Sequence, residues 1–307
     1  MANGSGPLAA AFVLAASPAF AQTRPMADPH AGHLMMEQAP AAAATADNPA
    51  IPPANAASAE RLRNSPRHGE WVDIKMPSGA PLRSFVVYPE RKDKGPVVLV
   101  IHDIGGMSDW GRAVGDQLAK DGFIAIVPDF LSGKGPNGGG TEELGQGVGP
   151  AIRTLTPDDV AARLNAALAY GKSLPSSNRK TGVIGFCWGG SASFHYATAQ
   201  PELDASVVYY GTPPMKTVDG AQVVDPAALE KIKAPVIGFY GGSDARVSST
   251  VEPTAAEMTK LGKSYESHVM EGAGHGFLKG QASSEANGKA AADAWPLTIA
   301  FLKKHTQ

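Results

Sequence analysis

From about residue 70 the chain alternates short runs of β-branched and aromatic residues with longer stretches of helical period. Glu70–Lys75 and Leu82–Tyr88 predict an opening antiparallel pair, turned at Pro77-Ser-Gly79. Pro96-Val-Val-Leu-Val-Ile101 and Phe123–Pro128 are continuous apolar runs, the pattern of central strands covered on both faces. A helix is predicted over Ser108–Asp121, a Gly-rich loop over Ser132–Gly149, and a second helix over Pro157–Leu174, with Asp158 and Asp159 in its first turn. Further strands are predicted at Thr181–Gly185, Ala205–Tyr210, Pro235–Tyr240 and Tyr265–Met270. The helices between and after them fall at Gly189–Ala199, Pro226–Ile232, Glu252–Leu261 and Ser284–Lys304. Strand–helix alternation of this kind implies one α/β domain, with a mostly parallel sheet and helices on both faces.

The residues before this pattern read differently. Pro7–Ala16 is an apolar run, and Ala19-Phe20-Ala21 places small residues where a secretory cleavage site needs them. Residues 1–21 are therefore expected to be a secretion signal and the protein to be periplasmic or secreted. Residues 2–6 bring no basic residue, and the run is about half the roughly 20 apolar residues a membrane span needs. Residues 22–65, rich in Ala and Pro, are expected to form a disordered tether, with the domain occupying residues 66–307. His30, His33, Met35 and Met36 lie in the tether; a polar linker is the plain reading and a soft-metal site the alternative.

Charge narrows the partners. The 307 residues carry 27 Lys+Arg against 29 Asp+Glu, a net charge of −2, so there is no electrostatic footprint for a nucleic acid. Apolar residues make up 43% and charged ones 18%, as in a globular chain. The remaining expectation is a small-molecule substrate, with the protein a monomer or small homo-oligomer.

Cys187 is the only cysteine, so no intramolecular disulfide is available. On count alone an inert, buried thiol is favoured. Its setting reverses that reading. Gly185-Phe-Cys-Trp-Gly189 stands between an apolar strand and a helix, as a nucleophile elbow does. The sharp turn demands minimal side chains two positions either side, points the thiol into a cleft, and sets it at a helix N-terminus, which favours the thiolate. It also aims the N–H of Trp188 at a developing oxyanion. A nucleophile needs a base held by a third group, and after such an elbow the acid and then the His follow along the chain. Asp244, in Gly241-Gly-Ser-Asp244, and His275, in Gly274-His-Gly-Phe277, each fall just beyond a predicted strand. Asp219 and Asp225 are weaker acid candidates beside an insertion. His102-Asp-Ile-Gly-Gly106 ends the first buried parallel strand, where the second oxyanion donor belongs; the N–H of Ile104 is read as that donor. His68, His195, His268 and His305 have packing or surface roles by position.

The three segments Gly185–Gly190, Tyr240–Asp244 and Gly274–Phe277, with Gly122–Asp129 behind them, resemble the dienelactone hydrolase family of α/β-hydrolases. The resemblance implies an α/β-hydrolase fold and a Cys187–His275–Asp244 triad acting through a covalent acyl-enzyme, without metal or organic cofactor. Its best-known substrates are dienelactones from chlorocatechol breakdown. Asp103 stands where the family has a Glu that contacts the resting thiol and helps to deprotonate it; ordering of the His102 turn is the equal alternative. Lys279, four residues after His275, stands where an arginine holds the substrate carboxylate. Hydrolysis of a carboxylic ester or lactone is the leading expectation. A thioesterase or general carboxylesterase of the same fold is the alternative, and a non-catalytic ligand- or metal-binding periplasmic protein is the reading from another class.

Overall fold

The computed structural model describes Met1 and residues 48–307 other than Ser78; the proposed secretion signal and the His30–Met36 cluster lie outside the described residues. The chain divides at Pro40/Ala41 into two units. The second opens with a short helix α1 (Ser58–Arg63), then β1 (Gly69–Ile74), β2 (Leu82–Val87), β3 (Gly95–Ile101), α2 (Asp109–Lys120) and β4 (Ile124–Pro128). Two short helices, α3 (Thr141–Leu144) and α4 (Val148–Ile152), precede α5 (Pro157–Ser173), β5 (Ser177–Phe186), α6 (Trp188–Ala199) and β6 (Ala205–Tyr209). The last part holds β7 (Met215–Val218), β8 (Ala221–Val224), α7 (Pro226–Leu229), β9 (Val236–Gly241), α8 (Ala245–Ser248), α9 (Val251–Lys260), β10 (Tyr265–Met270) and α10 (Glu285–Thr306).

Eight strands form one sheet in the order β1-β2-β4-β3-β5-β6-β9-β10, while β7 and β8 make a separate hairpin. The pairs β1/β2 and β2/β4 are antiparallel; the pairs from β4 to β10 are parallel. Period-two burial explains how one sheet feeds two cores. Val97, Leu99 and Ile101 of β3 join Val183, Val208 and Val236 in the core under α5, α6 and α9. Val98 and Val100 join Ile184, Phe186, Val207 and Ile237 in the core under α2 and α10. All seven β3 residues are buried, so alternation is invisible in the apolar run. The chain runs from β3 outward to β4 and then returns to the other side of β3 as β5. That reversal opens a crevice beyond the carboxyl ends of β3 and β5, where Ile101 pairs with Gly185.

Several expectations need correction. The tether does not extend to residue 65, because residues 48–64 are part of the domain. Ile51 is 3% exposed in the core beneath Trp110, whose Nε1–H donates to the carbonyl of Pro53 at 3.1 Å. Gln281 donates to the carbonyl of Pro52, and Asn55 N–H to that of Lys279. Pro-rich chain has few N–H groups of its own, and its free carbonyls suit side-chain donors. The predicted Gly-rich loop contains α3 and the start of α4, and α3 is ordered by Asp129, whose carboxylate accepts the N–H of Thr141 at 2.8 Å and the Thr141 hydroxyl at 2.7 Å. Strand β5 begins four residues earlier than predicted, and α7 stops at Leu229. The β7–β8 hairpin, α1 and α8 were not predicted; each is too short to show a period.

Candidate active site

Cys187 follows β5 and is the N-cap of α6, with φ 57° and ψ −115°. A non-glycine residue at positive φ costs on the order of 1–3 kcal/mol and persists only where its surroundings force it. The flanking glycines show the force. A Cβ on Gly185 would lie 1.8 Å from the carbonyl oxygen of Gly189, and one on Gly189 would lie 2.4 Å from those of Ile101 and His102. The elbow is thus wedged against the end of β3, and Cys187 N–H is held by the carbonyl of Tyr209 at 3.1 Å. The thiol itself is only half-buried.

Two neighbouring strand ends supply its partners. Asp244 lies just beyond β9 as the N-cap of α8, and His275 lies on the loop after β10. The loops are tied together by Gly242 N–H to the carbonyl of Met270 and Ser243 N–H to that of Ala273. Asn287 of α10 fixes the His loop through the N–H of Gly274 at 2.8 Å. In this frame His275 Nδ1 meets Asp244 Oδ2 at 2.5 Å, and the Cys187 thiol is the ring's second hydrogen-bonding partner. Burial favours the neutral imidazole, but the hydrogen bonds to Asp244 and Cys187, with the charges of both, outweigh it and raise His275 to about 9. Burial likewise pushes the Asp244 carboxyl up, and the bond to His275 more than reverses this, holding it below its ordinary value. The three residues singled out in the sequence therefore converge.

Ile104 follows β3 and Trp188 follows β5, two strands that pair side by side up to Ile101 and Gly185. Trp188 N–H belongs to the first turn of α6, where no intrahelical acceptor exists. Among the described residues Ile104 N–H has no acceptor either. Asp103 and Lys279 meet: Lys279 Nζ donates to Asp103 Oδ2 at 2.6 Å, while Asp103 Oδ1 accepts Gly105 N–H at 2.7 Å. Asp103 thus orders its own turn and holds the cation, and no bond joins it to Cys187 among the described residues. The two weaker acids have structural places instead. Asp219 turns the β7–β8 hairpin at φ 50°, and Asp225 caps α7 by accepting the N–H of Ala227.

Tyr210 went unnoticed in the sequence. It sits at φ 41° just past β6, and its ring meets that of His275 edge-on at 5.2 Å. Its buried hydroxyl makes no hydrogen bond of ordinary geometry among the described residues, the Lys279 backbone being a looser neighbour. Burial, reinforced by the acidic groups of Asp103 and Cys187, holds its pKa well above the ordinary phenol value. Its position at a strand's carboxyl end was the available signal. Beside the elbow lies a cavity of about 420 Å³, walled by Trp188, Ser191, Ala192, His195, Leu155 and Val160.

A switch-point crevice in a mainly parallel sheet, holding an elbow with an acid and a His on later strand ends, defines an α/β-hydrolase. The sequence profile of the dienelactone hydrolase family matches residues 82–306, and the chain belongs to that family. It is 30% identical over 243 residues to Protein usf of Aquifex pyrophilus, covering 77% of this chain and 99% of that one. It is also 30% identical over 210 residues to a protein of Methylorubrum extorquens named as a carboxymethylenebutenolidase, covering 67% of this chain and 71% of that one. Among solved structures, a Klebsiella pneumoniae protein named as a dienelactone hydrolase superposes with a TM-score of 0.67 at 23% identity, covering 78% of this chain and 99% of that one. The protein is a hydrolase of the dienelactone hydrolase type. Among the described residues no helix is long and apolar enough to cross a membrane.

Proposed function

We propose that the protein hydrolyses a carboxylic ester or lactone through a covalent acyl-enzyme carried by Cys187, with His275 as base and acid and Asp244 as its orienting partner. The observation that carries the reading is the contact chain from thiol to imidazole to carboxylate, built from three separate strand ends. With the thiol's proton on His275, the sulfur attacks the carbonyl carbon and the carbon–oxygen π pair moves onto oxygen. The N–H groups of Ile104 and Trp188 face that oxyanion. Collapse of the intermediate breaks the bond to the alkoxy oxygen, which takes the proton from His275; in a lactone this oxygen stays tethered to the acyl group. A water, giving its proton to His275, then attacks the thioester, and the sulfur leaves and recovers the proton. The Asp244 carboxylate stabilises the imidazolium in both halves.

Lys279 is the cation within reach of an acidic substrate, with Asp103 as its counter-ion. For Asp103 to act on the thiol it has first to leave Lys279. The pattern of residues 7–21 supports export to the periplasm or medium, which cell fractionation of the native protein tests. The catalytic reading is tested by hydrolysis of dienelactone beside p-nitrophenyl esters of graded length, before and after iodoacetamide. One label on Cys187 should abolish turnover, and full activity in the labelled protein would refute the assignment.

A further inference from the structure

The imidazole of His102 is 1% exposed and belongs to none of the steps above. Its two nitrogens are both engaged, and the partners settle the tautomer. Phe130 N–H donates to Nε2 at 3.3 Å, so the proton of the neutral ring is on Nδ1, which donates to the carbonyl of Asp103 at 2.9 Å. Burial holds the ring's pKa below its ordinary value, in keeping with that neutral form. The same carbonyl accepts Gly106 N–H at 3.1 Å, so both of its lone pairs are used. The carbonyl of Asp103 and the N–H of Ile104 belong to one peptide unit. No cis peptide bond occurs among the described residues, so the two groups point in opposite directions in one plane. Pinning the carbonyl therefore aims the N–H. Two donors on the carbonyl also polarise the amide, an effect of about 10–30% per bond. On its other side the ring of His102 lies nearly parallel to the Trp188 indole, at 5.7 Å and 24°.

We propose that His102 is a positioning residue for the oxyanion hole: its Nδ1–H fixes the Asp103–Ile104 peptide while its ring braces Trp188, so that the N–H groups of both donors are held at one spacing. This inference rests on the proposed roles of Ile104 and Trp188 in ester or lactone cleavage.

The test separates an oxyanion role from general support of the elbow. Attack of Cys187 on iodoacetamide displaces iodide at a saturated carbon and develops no oxyanion, whereas attack on an ester does. In His102→Phe, which keeps a ring but loses both nitrogens, kcat for a p-nitrophenyl ester should fall on the order of 10²-fold with KM little changed. The alkylation rate of Cys187 should stay within about threefold of the parent over the same preparation, because only the oxyanion step is impaired. His102→Asn, which can again place an amide N–H against the Asp103 carbonyl, should recover about tenfold of the lost kcat. An ester rate within about threefold of the parent in His102→Phe, or alkylation falling in proportion to turnover, overturns the proposal. Should neither variant fold, nitrogen NMR of the unmodified protein at neutral pH decides: a hydrogen-bonded Nδ1–H on His102 supports the proposal, and a proton on Nε2 refutes it. A parent protein inert to every ester and lactone would sink the hydrolytic reading instead, and the NMR result would still report the tautomer.

Discussion

At the scale of single residues, His275 has the most to reveal, because its two partners push its proton affinity in one direction against burial. His275→Ala should lower kcat by on the order of 10³-fold or more, since both proton transfers lose their carrier. A loss within twofold in steady-state assays would reject that role. The pH dependence follows from the sign of the shift. A ring raised to about 9 keeps its proton through neutrality and sheds it as pH rises through about 9. Turnover should therefore decline on the alkaline side near that value, where the acid for the leaving oxygen disappears. The same protonated ring contributes folded-state stability that is complete below its unfolded value of about 6.5 and is lost as pH rises through the folded one. Asp244→Asn removes the carboxylate that raises the ring, so the alkaline limb of kcat/KM should move toward lower pH. A limb that stays in place would show that the carboxylate does not set it.

At the scale of elements, the strand–turn–helix around Cys187 is a steric device before it is a chemical one. Gly185→Ala would put a methyl group 1.8 Å from the Gly189 oxygen, a separation no side chain tolerates. The substitution should shift the turn, with a loss of turnover on the order of tenfold or more and a lower melting temperature in calorimetry. Unchanged activity and melting would mean the turn is far softer than its geometry implies. This element was legible along the chain because its constraint acts within five residues. The helix boundaries were also close, Ser108 and Asp121 flanking α2 as its caps, because capping chemistry is local. The β7–β8 hairpin and α3 were not legible. Their residues bury little, so no hydrophobic period marks them, and α3 is ordered by an acid twelve positions earlier.

For the molecule as a whole, the segment from residue 48 onward straps the outside of α2 to the loop that carries Lys279. A chain lacking residues 1–47 is the reference for this segment. One lacking residues 1–57 loses the burial of Ile51, worth roughly 1.5–3 kcal/mol, together with the bonds to Trp110, Gln281 and Lys279. Its melting temperature should drop by about 3–12 °C for a domain of this size. Equal melting of the two truncated proteins would show that the strap adds nothing.

Residue order was sufficient for the alternating strands and helices, the elbow, and the acid and His that follow it, since each is written in neighbouring positions or in a short period. It also supplied Asp103 and Lys279 as separate candidates, but not their union across 176 positions. That contact, like the ring of Tyr210 against His275 and the ring of His102 against Trp188, depends on which strand lies beside which. Strand order arises when distant segments share a sheet and bury a common face. No local pattern encodes it, so the folded chain alone brings these side chains together.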